Sequence, residues 1–208
     1  MNMKKLFLFL LVAVTAYNGY GQSKSDIYGN MPITWLGVDF TQLKFIGTAD
    51  QFKDAGTITN RDMREKYFPG WNQLFIKEEK KYNVADAVNR DNVKYAIDVT
   101  ENANNKSEGN YFTDNSGDYQ LLNADKIASL VSRYDFKGNK GLGMLFFVEG
   151  MDKGKEEASM WVTFVNMENK SVLLTKQVTA GAGGFGFRNY WAKSFFNVLK
   201  DMDLKKMK

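Results

Sequence analysis

The chain has 208 residues with 28 basic and 24 acidic side chains, and neither cysteine nor histidine occurs. Those two absences remove Ser–His and Cys–His nucleophile pairs, zinc sites of the usual kind, disulfides and a lipid anchor on cysteine. Apolar residues at 44% and aromatics at 14% specify a folded protein, open to carboxylate, Lys, Tyr, Ser or Thr chemistry only.

The chain opens as an export signal. Lys4 and Lys5 precede an apolar run from Leu6 to Ala16, within the roughly 7–15 residues of a signal core and short of the roughly 20 that span a bilayer. Gly19 and Gly21 supply the small side chains for cleavage before Gln22, with Val14 and Ala16 offering an earlier cut. Residues 1–21 are therefore expected to be removed and the protein to act in the periplasm or outside the cell. The mature chain of about 187 residues suits one domain. Without Lys4 and Lys5 its net charge is only +2. Lysines cluster only at Lys77 to Lys81 and Lys205 to Lys208, and no basic stripe with aromatic readers marks a nucleic-acid binder. No later segment is apolar long enough to span a membrane; Leu142 to Val148 is strand length.

Residues 22–32 read as a polar, flexible leader, and 33–204 as a single α/β (α+β) domain. Ile33 to Phe40 is a β-branched and aromatic run predicted to be a buried strand, continued by or paired with Leu43 to Ile46. Thr59 or Asn60 caps a helix through Tyr67, and Pro69 suits the first turn of a longer one carrying Trp71, Leu74, Phe75 and Tyr82. Val93 to Thr100 is predicted as a second strand, and Glu101 to Gly117 as a long polar loop or hairpin tip. Asn123 or Asp125 opens a third helix with Ile127, Leu130, Val131 and Tyr134 inward. Met144 to Met151, Ala158 to Asn166 and Ser171 to Ala180 alternate as strands, the last two forming a hairpin across Glu168-Asn169. After the run Gly181-Ala182-Gly183-Gly184-Phe185-Gly186, Phe187 to Met202 is an amphipathic helix with Trp191, Phe195, Val198, Leu199 and Met202 on one stripe. The order β–α–β–α–β–β–β–α describes one mixed sheet with helices packed on it.

The C-terminal half carries a resemblance. A helix ending in Ser129-Leu130-Val131-Ser132-Arg133-Tyr134 leads to the strand Gly143 to Gly150. The hairpin Trp161 to Asn166 and Leu173 to Val178 follows, then the glycine run and a terminal helix. This pattern resembles bacterial envelope proteins with a TolB N-terminal-like domain, including curli-secretion and penicillin-binding-protein-activator lipoproteins. It spans roughly residues 120–202, with Ile33 to Phe40 able to serve as the first strand. Two features depart from the family: the lipid-carrying cysteine is missing, and the turn Met167-Glu168-Asn169-Lys170 has no glycine. The resemblance implies a non-enzymatic module that assembles or regulates envelope machinery through a protein partner.

Several constellations invite chemistry. Gly181-x-Gly183-x-x-Gly186 matches the dinucleotide fingerprint, but that mechanism needs a following parallel strand and an acid about 20 residues on. Glycines also simply let a chain turn from sheet to helix. A looser reading makes Gly181, Gly183, Gly184, Gly186 and Arg188 an anion- or partner-binding site, because a helix N-terminus attracts negative charge. Asp39 and Asp98 fall inside predicted strands, where they either meet as an acid/base pair of the glycoside-hydrolysis kind or point outward. Alternation favours outward. Asp152, Glu156 and Glu157 read as a solvated turn. Trp71, Trp161 and Trp191 could stack on sugars but keep core periodicity. Asn105-Lys106-Ser107 and Asn169-Lys170-Ser171 fit the glycosylation pattern, which has no such meaning in a bacterial chain. No motif calls for a metal or cofactor. The expectation is an envelope binding or scaffold module without enzymatic activity; the alternative is a small-molecule or glycan-binding protein, or a weak carboxylate-based hydrolase.

Overall fold

One sheet organises the molecule. The computed structural model describes residues 22–47 and 58–207, so the expected signal peptide lies outside the described residues. The strands are β1 (Ile33–Asp39), β2 (Lys44–Ile46), β3 (Lys94–Tyr95), β4 (Phe112–Thr113), β5 (Leu142–Asp152), β6 (Glu157–Asn166) and β7 (Ser171–Gly181). β5 is the axis. Along one edge it pairs in parallel first with β1, from Ile33↔Leu142 to Asp39↔Phe147, and then with β2, from Lys44↔Gly150 to Ile46↔Asp152. β1 and β2 are thus successive pieces of one lane, and the short β3 and β4 pair in parallel outside them. Along its other edge β5 pairs antiparallel with β6, and β6 with β7. The sheet is mixed, as the sequence pattern requires.

The β6–β7 turn manages without glycine. Asn166 Oδ1 accepts from the N–H groups of Glu168 and Asn169, and Lys170 takes the left-handed conformation at φ 57°.

Helices cover both faces. Thr59 caps α1 (Asn60–Asp62) in a reciprocal pair with Asp62, a π-helical turn occupies Met63–Tyr67, and α2 (Phe68–Asn72) and α3 (Leu74–Lys77) follow. With α4 (Val84–Ala87) and the C-terminal α7 (Phe187–Asp201) they enclose an aromatic core of Trp35, Phe40, Phe68, Trp71, Phe75, Phe146, Trp191 and Phe195. The opposite face is smaller. There α5 (Asp98–Asn105) and α6 (Ala124–Ser132) place Val99, Ile127, Val131 and Tyr134 on Leu36, Leu145 and Phe147. The last helix is α7 (Phe187–Asp201).

The predicted strand Val93 to Thr100 is a correction. Only Lys94–Tyr95 is strand, and the chain turns into α5 at Asp98, taking up the first part of the expected loop. The cause lies in β1, which bulges between Trp35 and Val38. Beyond Trp35 its outer main-chain groups are satisfied by side chains in place of a strand. Thr100 Oγ1 donates to the Leu36 carbonyl at 2.7 Å. Asn72 both accepts from Val38 N–H (2.7 Å) and donates to its carbonyl (3.0 Å). Asn104 donates to Val38 O (2.9 Å) and accepts from Phe40 N–H (2.7 Å). Thr100 and Asn104 are four apart, and a helix sets them one turn apart on one face, matching Leu36 and Val38 two residues apart on the strand. Within the expected leader, Lys24–Ile27 forms a 3-10 turn with Ile27 fully buried, and Arg90 donates to the carbonyls of Ile27 (3.1 Å) and Met31 (3.0 Å).

Candidate functional site

The glycine run links β7 to α7 at one end of the sheet. Ala182 N–H donates to Glu156 O at 2.7 Å and Gly183 N–H to Tyr190 O at 3.0 Å, while Asn197 Nδ2 holds Gly181 O at 2.8 Å. Gly186 caps α7 at φ 78°, which an L side chain adopts only with strain. The structure therefore brings Gly181, Gly183, Gly184, Gly186 and Arg188 into one short segment. Arg188 is occupied: its guanidinium donates to Gly70 O and to Asn189 Oδ1, each at 3.3 Å. Its own carbonyl accepts from Trp71 Nε1 at 2.8 Å. Arg188 joins the start of α7 to α2.

What the sequence reading missed in this loop is Phe185. It is 96% exposed, against 36–45% for Met31, Leu121 and Ile76, the other exposed large apolar side chains among the described residues. The signal was available: a phenylalanine between Gly184 and Gly186 has no neighbouring side chain to cover it. The dinucleotide reading has no geometry here, because β7 belongs to an antiparallel pair and a 3-10 turn (Leu204–Met207) follows α7.

The two aspartates part company. Asp98 opens α5 with its side chain 57% exposed and ion-paired to Lys137 at 3.3 Å. Asp39 is 1% exposed, contrary to the outward placement that alternation favoured. Asp39 does face away from Val38 and Phe40, as alternation requires, but that face is covered by α5 and α6. There its Oδ1 accepts from Thr41 N–H at 2.7 Å, and its Oδ2 from the Tyr134 hydroxyl. Burial raises the Asp39 pKa from its ordinary value, and the bonds from Tyr134 and Thr41 offset part of that rise. A cavity of about 220 Å³ lies beside the pair, bordered by Asn102, Lys106 and Arg133 but not by Asp98. Asp39 and Asp98 therefore do not share this cavity as an acid/base pair.

A second buried acid is Glu149. Its Oε1 accepts from Ser159 Oγ (2.8 Å), Trp161 Nε1 (3.0 Å) and Gln177 Nε2 (2.5 Å), and its Oε2 from Leu122 N–H (2.8 Å). These four donors occupy both of its oxygens. Trp161 is therefore held at Glu149, while Trp71 and Trp191 are fully buried. Asp152, expected in solvent, is 5% exposed and accepts from Gly154 and Lys155 N–H. Among the described residues no group of three or more acids is placed to hold a metal ion, and no helix is long and apolar enough to cross a membrane. No family model matches the chain, and neither a curated protein nor a solved structure matches it.

Proposed function

We propose that this chain is an exported binding module of the bacterial envelope, without enzymatic activity, that meets a protein partner through the Gly181–Arg188 loop. The observation that carries the reading is Phe185, held at 96% exposure by a loop anchored on both sides. Covering a phenylalanine is worth about 2 kcal/mol, and exposed aromatics on anchored loops are typical interface anchors. The buried carboxylates support the same reading from the other side: Asp39 and Glu149 are each occupied by donors of the fold. The apolar run before Gln22 and the TolB N-terminal-like pattern supply the address. Of the residues named from sequence, the glycines shape the loop and Arg188 anchors it, while Phe185 makes the contact.

A photo-crosslinking residue at position 185, expressed in a host bacterium, tests this directly. One discrete adduct with an envelope protein is expected at 185 and not at 76 or 121, and the exported product should begin at Gln22 by mass. Equal labelling at all three positions would refute the loop as the docking site.

A further inference from the structure

Strand β7 ends the sheet with its outer edge bare. It pairs with β6 alone, and among the described residues no group bonds its outward main-chain N–H or C=O from Leu174 to Ala180. Edge strands of this length are normally blunted by proline, charge, a bulge or a covering loop. β7 has one bulge, at Leu173 between the pairs Val165↔Val172 and Phe164↔Leu174, so the ladder beyond it is regular. It has no proline and one charge, Lys176, whose ammonium reaches only the Lys206 carbonyl at 2.9 Å. Beside this edge, between β7 and the C-terminal half of α7, runs a groove of about 250 Å³. Val162, Val178, Val198 and Met202 line it, with Asp201 at its border. Asp201 is exposed and, among the described residues, makes no ion pair.

We propose that β7 pairs antiparallel with β7 of a second copy of this chain, about a two-fold axis through Gln177. A bare ladder is satisfied in series only by another extended backbone. The register follows from the sequence of the strand. An axis at Lys176 would set two ammonium groups face to face. One at Thr175 would run the pairing into the bulge at Leu173. One at Val178 would need Ala182, whose N–H is already bonded to Glu156. An axis at Gln177 pairs Leu174 with Ala180, Thr175 with Thr179 and Lys176 with Val178 of the other copy, all within the regular segment. It also supplies the missing charge partners. Lys176 of one copy then lies against Val178 of the other, on the face where the groove opens. Its methylene stem covers the apolar floor and its ammonium meets Asp201, twice by symmetry. This dimer is independent of what Phe185 meets.

The absence of cysteine makes the test clean. A chain carrying Thr175→Cys and Thr179→Cys should form a covalent dimer on mild oxidation. Within one chain the two positions are about 13 Å apart along an extended strand, beyond disulfide reach. In sedimentation equilibrium the unmodified mature chain should be dimeric at about 100 µM. Asp201→Lys should weaken the dimer by about tenfold or more through repulsion with Lys176, without moving the thermal midpoint of the monomer. Adding Lys176→Asp to that variant should restore it. A monomer throughout that range overturns the proposal. So does a dimer that ignores both substitutions and does not crosslink, which would use another surface. Protection of the β7 amides from hydrogen exchange only when an envelope extract is added would assign the edge to a strand from a different protein, and overturn the second copy.

Discussion

Tyr134 donates its phenolic hydrogen to Asp39 across the interface between β1 and the end of α6, with both side chains buried. Burial outweighs that hydrogen bond, so Asp39 holds its proton more tightly folded than unfolded. The contribution of this group to stability is therefore full below the ordinary carboxylate pKa of 3.8 and is lost as pH rises toward the raised folded value. Asp39→Asn, which does not titrate, should gain on the natural chain as pH rises through that window. Tyr134→Phe removes the group that lowers the Asp39 pKa, so its cost should grow over the same window to about 1–3 kcal/mol at neutral pH. Urea unfolding at a series of pH values checks both; a Tyr134→Phe cost that is the same at every pH contradicts the assignment.

Gly37 is confined by the helix that replaced the predicted strand. At φ 98°, a Cβ there would collide with Thr100 Oγ1 and lie 2.6 Å from Asn72 Oδ1. Gly37→Ala should cost about 3 kcal/mol, combining left-handed strain with loss of the side-chain bonds to β1. A two-state denaturant series measures it, and a loss under about 1 kcal/mol would mean that α5 moves aside freely.

That region also shows where the sequence stopped being legible. The strands β5, β6 and β7 and helix α7 were readable because each keeps one period over ten or more residues. Val93 to Thr100 has the composition of a strand, yet Thr100 and Asn104 serve as main-chain partners for β1, a tertiary role that composition does not carry. Asp39 was misplaced for a related reason: it does face away from Val38 and Phe40, but that second face is covered by α5 and α6, which one strand's alternation does not reveal. At the loop, the glycines and Arg188 stood out by motif, while Phe185 is defined by the absence of neighbours. Burial of Glu149 was not legible either, because its donors come from four separate positions between 122 and 177.

Glu149 fastens the Leu122 main chain to the sheet, and its two oxygens accept from four donors at once. Glu149→Gln keeps the shape but turns one oxygen into a donor facing other donors. The expected loss is about 2–3 kcal/mol, accompanied by a change in Trp161 fluorescence, since Trp161 Nε1 bonds to the same oxygen. Unfolding followed by that fluorescence reads both. A Gln variant as stable as the natural chain would mean that the network repacks around the amide.

Arg188 and Phe185 separate the two uses of the glycine loop. The Arg188 side chain bonds to Gly70 O and Asn189, so Arg188→Ala should lower stability by about 1 kcal/mol. The contact of Trp71 with the Arg188 carbonyl should survive that change, because it uses main chain only. Phe185→Ser removes a side chain that touches almost nothing in the molecule, so the thermal midpoint should stay where it is while the adduct formed by a crosslinking residue at neighbouring position 184 disappears. The pattern expected is therefore crossed: Arg188→Ala less stable but still captured, Phe185→Ser equally stable but no longer captured. If capture instead fails with Arg188→Ala and persists with Phe185→Ser, the loop works as a cationic anion site at the start of α7, and the aromatic contact is discarded.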